Sequence, residues 1–208
     1  MANAPVRVIG LTGLPSSGKG EATLAFQRLA AARGWRAEHV SFSDRIKDEA
    51  RARGVAESAF TRELLSRIGT EMRETEGPGV LSKRIVRMIE TWPAPSPELF
   101  IVEALRHVGE AETLREEFAD RFTLIAVDCE PRIIARRLIA RQRPDESPDA
   151  LRSEEHAVRL LEEELQGKFS ALGPNVGSVA ALADYRLDNN GTLQDLHERV
   201  AEIFAELA

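Results

Sequence analysis

The sequence has little of several features that would define a class of protein. Its 208 residues include one cysteine, Cys129, which excludes an internal disulfide and a thiolate-rich metal site and fits a reducing compartment. The longest uncharged run, residues 169–183, spans 15 residues, is broken by two glycines and a proline, and is too short to cross a bilayer. Residues 1–7 show no signal-peptide pattern. We therefore expect a soluble, cytoplasmic protein.

Basic charge is also scarce. Lys and Arg number 28 against 34 Asp and Glu, and the net charge of -6 argues against nucleic acid or an anionic membrane as a partner. Only 4 of the basic residues are lysines, so a lysine within a motif is informative. The hydrophobic content of 43% is enough for a packed core, which excludes disordered and fibrous classes. The length favours a single domain over residues 1–208.

Short apolar runs alternate with longer stretches of helical periodicity. This pattern is typical of a three-layer α/β fold, in which helices cover both faces of a parallel sheet. Residues 143–178 are polar and helical in part. Strands are predicted over 6–11, 37–42, 99–103, 122–127 and 185–187, and helices over 21–33, 44–53, 58–76, 80–91, 131–141 and 192–207.

The most informative motif, GLPSSGKG, lies between the first predicted strand and the first predicted helix. Glycines let the backbone wrap an anion, the helix offers unpaired N–H groups, and Lys19 can reach the β- and γ-phosphates of a nucleotide. We predict a phosphate-binding loop, the alternative being an ordinary glycine-rich turn. We expect Lys19 to be exposed when the loop is empty. The predicted nucleotide-binding residues here are Gly13, Leu14, Pro15, Ser16, Ser17, Gly18, Lys19, Gly20 and Glu21.

The end of this motif departs from the usual pattern. Gly20 stands where many such loops carry a Ser or Thr whose hydroxyl binds Mg²⁺. A metal would then be held through water and by acidic groups elsewhere. Glu21 suits a helix N-terminus but would repel a nearby phosphate.

Acidic and basic residues follow two other predicted strands. Asp44, after the second strand, could orient Mg²⁺ or accept the proton of an acceptor hydroxyl, although it or Ser43 could simply cap the next helix. Glu103 ends the LFIVE strand and could help to hold Mg²⁺ through water. Arg45 and Arg106 are candidates to bind the acceptor phosphate. The alternative for Glu103 and Arg106 is a local ion pair on a solvated turn.

Arginines cluster in and after the fifth predicted helix, residues 131–141. Arg137 and Arg141 share one face of this helix, and Arg143 follows. The planar guanidinium group suits clamping phosphoryl oxygens, so these three residues favour a lid that closes over a donor. For Arg132 and Arg136 we favour the alternative, a charged outer face paired with neighbouring acidic residues.

With these residues identified, most of the chain resembles P-loop kinases that phosphorylate nucleotides or dephospho-coenzyme A. Residues 9–13 and 183–193 resemble dephospho-coenzyme A kinases. Residues 67–73, RIGTEMR, resemble a motif of phage deoxynucleoside monophosphate kinases. Residues 173–177 are similar to the kinase-like half of deaminase fusion proteins. An archaeal kinase-like family of unsettled function shares the Gly-Lys-Gly-Glu ending of the loop, the arginine pattern of residues 137–143 and the same tail.

The resemblance implies a sheet of five parallel strands in the order 2-3-1-4-5, with an Arg-rich lid over roughly residues 137–178. It places Asn189, Asn190 and Gly191 beside the donor adenine and Arg73 near the acceptor.

The sequence thus predicts an ATP-dependent phosphotransferase that uses ATP and Mg²⁺. The acceptor would be a small phosphorylated molecule, either a nucleoside or deoxynucleoside monophosphate or dephospho-coenzyme A. Two alternatives stay open: a regulatory module that senses a nucleotide without turnover, and a slow NTPase. The predicted catalytic residues are Lys19, Asp44, Arg141 and Arg143.

Overall fold

The structure, a computed structural model, describes residues 6–141, 153–167 and 171–207. Its centre is a five-stranded sheet in the order β2-β3-β1-β4-β5, and every neighbouring pair of strands is parallel. This confirms the predicted fold class and strand order. The strands are β1 (Arg7–Thr12), β2 (Ala37–Ser41), β3 (Leu99–Leu105), β4 (Phe122–Asp128) and β5 (Tyr185–Asp188).

Helices cover both faces of the sheet, because the three central strands β1, β3 and β4 are apolar on both sides and must be shielded from water on each. One face packs against the first and last helices, whose core includes Phe26 and Phe204. The other face packs against the middle helices, with Leu81 and Leu114 in its core. The helices are α1 (Lys19–Ala32), α2 (Phe42–Ala52), α3 (Arg62–Glu76), α4 (Val80–Glu90), α5 (Val108–Phe118), α6 (Pro131–Arg141), α7 (Glu154–Leu165), α8 (Val176–Ala180) and α9 (Leu193–Leu207).

Caps explain where helices α2 and α3 begin, and both starts differ from the predicted ones. Helix α2 begins at Phe42, directly after β2, because the Ser41 side chain accepts a hydrogen bond from the Ser43 amide and caps the helix. Neither Asp44 nor Ser43 is the cap. Helix α3 begins at Arg62 behind the cap of Thr61, and a short 3-10 turn precedes it.

Helix α5 lies in a segment for which no element is predicted. Its sequence mixes Gly109 and four glutamates with few apolar residues, which weakens the helical periodicity. A capping box supplies the missing signal, since the His107 ring accepts from the Gly109 amide while Glu110 accepts from the His107 amide.

The end of β3 is irregular. Strands β1 and β3 pair residue for residue up to Leu11 with Glu103, and the next pair joins Thr12 to Leu105. Ala104 is therefore an extra residue, a β-bulge, and its φ of 74° lies in the left-handed region. The strand consequently extends two residues beyond its predicted end at Glu103.

Helices α6 and α7 pack over the loop that follows β1. Their apolar residues form a third cluster with Leu14, which includes Ile134, Leu138 and Leu161. The end of α6 and all of α7 fall within the predicted lid of residues 137–178, of which residues 142–152 and 168–170 lie outside the described residues. Within the described ranges, no helix combines the length and apolar character that crossing a membrane requires.

Candidate active site

The loop between β1 and α1 has the backbone of an anion cradle. Gly13 has a φ of 141°, and a Cβ there would lie 2.5 Å from the Val127 carbonyl oxygen, so only glycine fits against β4. Gly18, with a φ of 109°, leads into α1 without a side-chain cap. The amides that open α1 therefore have no side-chain cap at Gly18, and uncapped helix N-termini of this kind can accept an anion.

Lys19 folds back over this loop. Its Nζ donates hydrogen bonds to the carbonyl oxygens of Gly13 at 3.0 Å and Leu14 at 2.8 Å. The residue is only 6% exposed, so the expectation of an exposed lysine is wrong. Burial is the largest cause that lowers the pKa of Lys19 to about 8, and the charge of Arg106 lowers the pKa further.

The chain after β5 supports the loop from behind. Asn189 Nδ2 donates to the Ser17 carbonyl oxygen at 2.6 Å, and a Cβ at Gly18 would clash with the same amide group. Arg137 on α6 donates to the Asn189 carbonyl oxygen at 3.1 Å and to Cys129 Sγ at 3.4 Å. Asn189 and Arg137 thus fix the shape of the loop in this structure.

The neighbouring tail residues lie closer to solvent. Asn190 is exposed, and its Oδ1 accepts a hydrogen bond from the Glu130 amide at 2.7 Å. Gly191 is exposed and lies against the Asp195 carboxylate. Their predicted role beside an adenine, like that of Asn189, stays a prediction.

His39 on β2 and Glu103 on the neighbouring strand β3 form an ionisable pair. His39 Nε2 is 3.1 Å from Glu103 Oε2, a contact that sequence analysis did not predict. Burial raises the pKa of Glu103, but the hydrogen bond from His39 and the charge of Lys19 lower it more, so Glu103 is ionised. Asp44 lies near enough to raise the pKa of His39. It pairs with Lys47 at 3.2 Å, and 53% of its side chain is exposed.

Arg45 follows Asp44 in the first turns of α2 and pairs with Asp48 at 3.1 Å. Its Nε is buried without a hydrogen-bond partner in the described part of the chain. Its place as an acceptor residue stays a prediction.

A second charged group, here named the outer group, consists of Arg62, Arg106 and Glu164. The Glu164 carboxylate is bound by Arg62 Nη2 through one oxygen and by Arg106 Nη1, at 3.2 Å, through the other. Both arginines act on the pKa of Lys19, so the outer group lies within electrostatic reach of the loop. Burial is the largest cause that lowers the pKa of Arg106, and Arg62 lowers it further.

Arg73, predicted to lie near the acceptor, forms with Glu110 what is here named the inner pair. Both side chains are buried, at 3% and 0% exposure, and Arg73 donates twice to Glu110 Oε1, at 3.0 and 2.6 Å. Glu110 Oε2 accepts from the Arg106 and His107 amides. Arg73 is therefore buried in the protein, and the carboxylate that it binds also accepts a hydrogen bond from the Arg106 backbone.

The remaining arginines of the predicted lid differ in placement. Arg141 is exposed at the end of α6, and Arg136 pairs with Glu154 on α7 at 3.2 Å, the outer-face arrangement favoured for it. Arg143 lies outside the described residues.

Three residues of the site were missed from the sequence: His39, Arg62 and Glu164. No local pattern identifies them, since Glu164 lies 102 positions from Arg62 and 58 from Arg106. Arg62 alone has a signal in the sequence: it follows Thr61, a residue suited to cap a helix. A cation at a helix N-terminus is unfavourable unless an anion compensates it, so an acidic partner could have been expected.

The fold is that of solved P-loop kinases. Shikimate kinase from Bacteroides thetaiotaomicron matches with a TM-score of 0.60 at 13% identity, over 96% of this chain and 98% of that one. A gluconokinase from Sinorhizobium meliloti matches with a TM-score of 0.52 at 15% identity, over 98% and 95%. The APS kinase of Mycobacterium tuberculosis, in complex with AMPPNP and APS, matches with 0.51 at 15%, over 97% and 98%.

The chain belongs to the UPF0200 family. It is 30% identical over 202 residues to the UPF0200 protein of Methanothrix thermoacetophila, covering 97% of this chain and 98% of that protein. It is also 30% identical to the UPF0200 protein of Methanothermobacter thermautotrophicus, covering 97% and 90%. A UPF0200/UPF0201 protein of Archaeoglobus fulgidus is 30% identical as well, and the chain spans 56% of its length. No family model matches the chain.

Proposed function

We propose that this chain is an ATP-dependent phosphotransferase acting on a small phosphorylated acceptor, a nucleoside or deoxynucleoside monophosphate or dephospho-coenzyme A. One observation carries the proposal: the buried loop lysine Lys19 lies within electrostatic reach of the separate cations Arg62 and Arg106. A site with two cationic centres suits two phosphorylated molecules that must meet. The structural neighbours are named as kinases of small molecules, which supports a small acceptor, while a phosphate group on that acceptor is part of the proposal.

Each residue has a distinct part in this proposal. Lys19 and the amides that open α1 would bind the donor phosphates, and Lys19 would exchange its bonds to the loop carbonyls for phosphate oxygens. Asp44 would orient the acceptor or accept its proton, since its exposed carboxylate lies in the first turn of α2, directly after β2. Arg106 and Arg45 would bind the acceptor, and Arg141 with Arg143 would stabilise charge on the transferring group. Catalysis would rest on positioning and charge neutralisation.

The site fits magnesium bound together with a nucleotide. Mg²⁺ usually keeps several waters and binds through one or two carboxylates plus substrate phosphates. A Cβ at Gly20 would meet no atom within 4 Å, so the usual hydroxyl position is open space, and the ionised Glu103 lies near Lys19. Glu103 and Asp44 would hold the ion through water. When bound, it would neutralise phosphate charge.

The test is ADP release measured by a coupled assay with saturating Mg·ATP. The panel contains nucleoside monophosphates, deoxynucleoside monophosphates and dephospho-coenzyme A. At least one acceptor should raise the rate above the background without acceptor, and Lys19→Met should abolish this increase. Arg141→Ala should lower the rate more than it weakens ATP binding, because a lid arginine acts mainly on the transition state. If ATP binds and every acceptor leaves the background rate unchanged, the kinase proposal fails.

Two observations favour a second candidate, a module that senses a nucleotide without turnover. Gly20 lacks the hydroxyl that usually binds the metal, and Glu164 occupies Arg62 and Arg106. A sensor would bind ATP, measured by calorimetry, and would release no ADP with any acceptor. The same panel therefore separates the two candidates.

A further inference from the structure

The outer group has the form of an occupied anion site. One carboxylate uses each of its oxygens for a different arginine, as a phosphate group does when two guanidinium groups hold it. Glu164 is nearly buried, whereas the side chains of Arg62 and Arg106 keep exposures of 30% and 24%. A dissolved anion can therefore reach the arginines from solvent.

The charges favour a stronger anion than the one present. Two arginines face the single negative charge of Glu164. Of the other charged groups within reach, Lys19 is balanced by Glu103 and Arg73 by Glu110, so one positive charge of the outer group stays uncompensated. A phosphate monoester carries close to two negative charges at neutral pH and offers more acceptor oxygens than a carboxylate. Arginine forks bind such groups in the bidentate geometry that one carboxylate cannot offer to both arginines at once.

The inner pair shows what a purely structural arrangement looks like in the same chain. There each Glu110 oxygen accepts two hydrogen bonds, and both partners are buried. In the outer group each Glu164 oxygen meets one arginine, and the arginines remain partly exposed.

We infer that Glu164 is an internal competitor for the acceptor site. Arg62 and Arg106 form the subsite for the phosphate monoester of the acceptor, and the Glu164 carboxylate holds this subsite until the acceptor displaces it. The inference deepens the proposed function and rests on it for the nature of the ligand. It adds Arg62 as a binding residue and makes Glu164 a determinant of acceptor affinity.

The test compares Glu164→Gln with Glu162→Gln, an exposed glutamate on the same helix. The probes are inorganic phosphate and adenosine monophosphate, titrated by calorimetry onto protein whose loop is filled with a non-hydrolysable ATP analogue. Glu164→Gln should bind both probes about tenfold more tightly than wild type, the gain expected if Glu164 occupies the arginines about nine-tenths of the time. Glu162→Gln should bind like wild type.

A third variant identifies the subsite. Adding Arg62→Gln to Glu164→Gln should remove the gain in affinity while the affinity for the ATP analogue is kept. Equal or weaker probe binding by Glu164→Gln, or a gain that survives Arg62→Gln, overturns the inference. Because no turnover is measured, the result is independent of whether any acceptor is phosphorylated.

Thermal unfolding covers the case in which Glu164→Gln folds poorly. If Glu164 is a competitor, phosphate should raise the Tm of this variant more than that of wild type, because the ligand replaces the missing charge. Glu164→Asp, whose shorter carboxylate keeps the charge, should fold and bind the probes with intermediate affinity. If both variants stay unfolded in the presence of phosphate, Glu164 is a structural residue and the inference is wrong.

Discussion

The inner pair and the outer group have the same chemistry and opposite surroundings. Arg73 and Glu110 are enclosed, and the four bonds to Glu110 leave its carboxylate fully used. Arg62, Arg106 and Glu164 lie where solvent reaches the arginines, and each Glu164 oxygen meets a single partner. A buried ion pair whose bonds are complete holds a structure in place. A partly exposed one whose bonds are incomplete can be exchanged for a ligand.

The largest expected effect comes from breaking the inner pair. Glu110→Gln should lower the free energy of unfolding by about 3–5 kcal/mol, because Arg73 would be left as an uncompensated buried charge. Chemical denaturation measures the loss. Glu112→Gln, an exposed change on the same helix, should stay within about 0.5 kcal/mol of wild type. A loss below about 1 kcal/mol for Glu110→Gln would contradict the structural role of the pair.

Breaking the outer group should affect activity more than stability. Arg106→Met should lower kcat/KM for the acceptor by about 10²-fold or more while ATP affinity is kept, because the cation proposed to contact the acceptor, and not the donor, is removed. Arg106→Lys should recover only part of the rate, since a lysine keeps the charge but not the planar fork. Steady-state kinetics at saturating ATP gives both values. A normal rate for Arg106→Met would remove Arg106 from the acceptor site.

Asp44 extends the comparison to an acidic group that is open to solvent. Asp44→Asn should lower turnover by about 10²-fold, the scale of losing a positioned acid–base group, with donor affinity unchanged. Stability should hardly change, since Asp44 makes one exposed pair, with Lys47. The matched control is Asp48→Asn on the next turn of α2. If both variants turn over like wild type, Asp44 has no part in the reaction.

The smallest expected effect is a proton taken up with ATP. In the empty loop the pKa of Lys19 is about 8, and phosphate groups beside it should raise this pKa. Binding should therefore take up about half a proton at pH 8 and almost none at pH 6, so ATP affinity falls as the pH rises above 8. Calorimetry in buffers of different ionisation enthalpy measures the uptake. Lys19→Met should abolish it, whereas Lys47→Met should keep it.

Much of the framework was predictable because its signals are local in the sequence. The glycines and Lys19 between a strand and a helix identify the loop, and the alternation of strands and helices identifies the sheet. The strand order came from the resemblance to P-loop kinases. Helix α5 was missed because its hydrophobic pattern is weak and its cap uses a histidine, which is not among the usual capping residues.

The charged contacts of the site were not predictable because they join distant positions. Arg73 meets Glu110 across 37 positions, and Arg62 meets Glu164 across 102. The packing of the helices decides that the Arg73 side chain is buried and the Arg62 side chain is partly exposed, and sequence spacing does not reveal this difference. The fold-back of Lys19 onto its own loop carbonyls likewise depends on tertiary surroundings rather than on spacing.

Ala104 has a consequence for how this chain can vary. Phe100 and Val102 lie in one core, and strict alternation would send Leu105 to the opposite face together with Glu103. The additional residue reverses the parity, and Leu105 joins Phe100 and Val102. Deleting Ala104 would place Leu105 directly after Glu103, and alternation would still send it to the face of Phe100 and Val102. At this point β3 therefore tolerates the loss of one residue better than at its other positions, where the same loss would move core side chains to the opposite face.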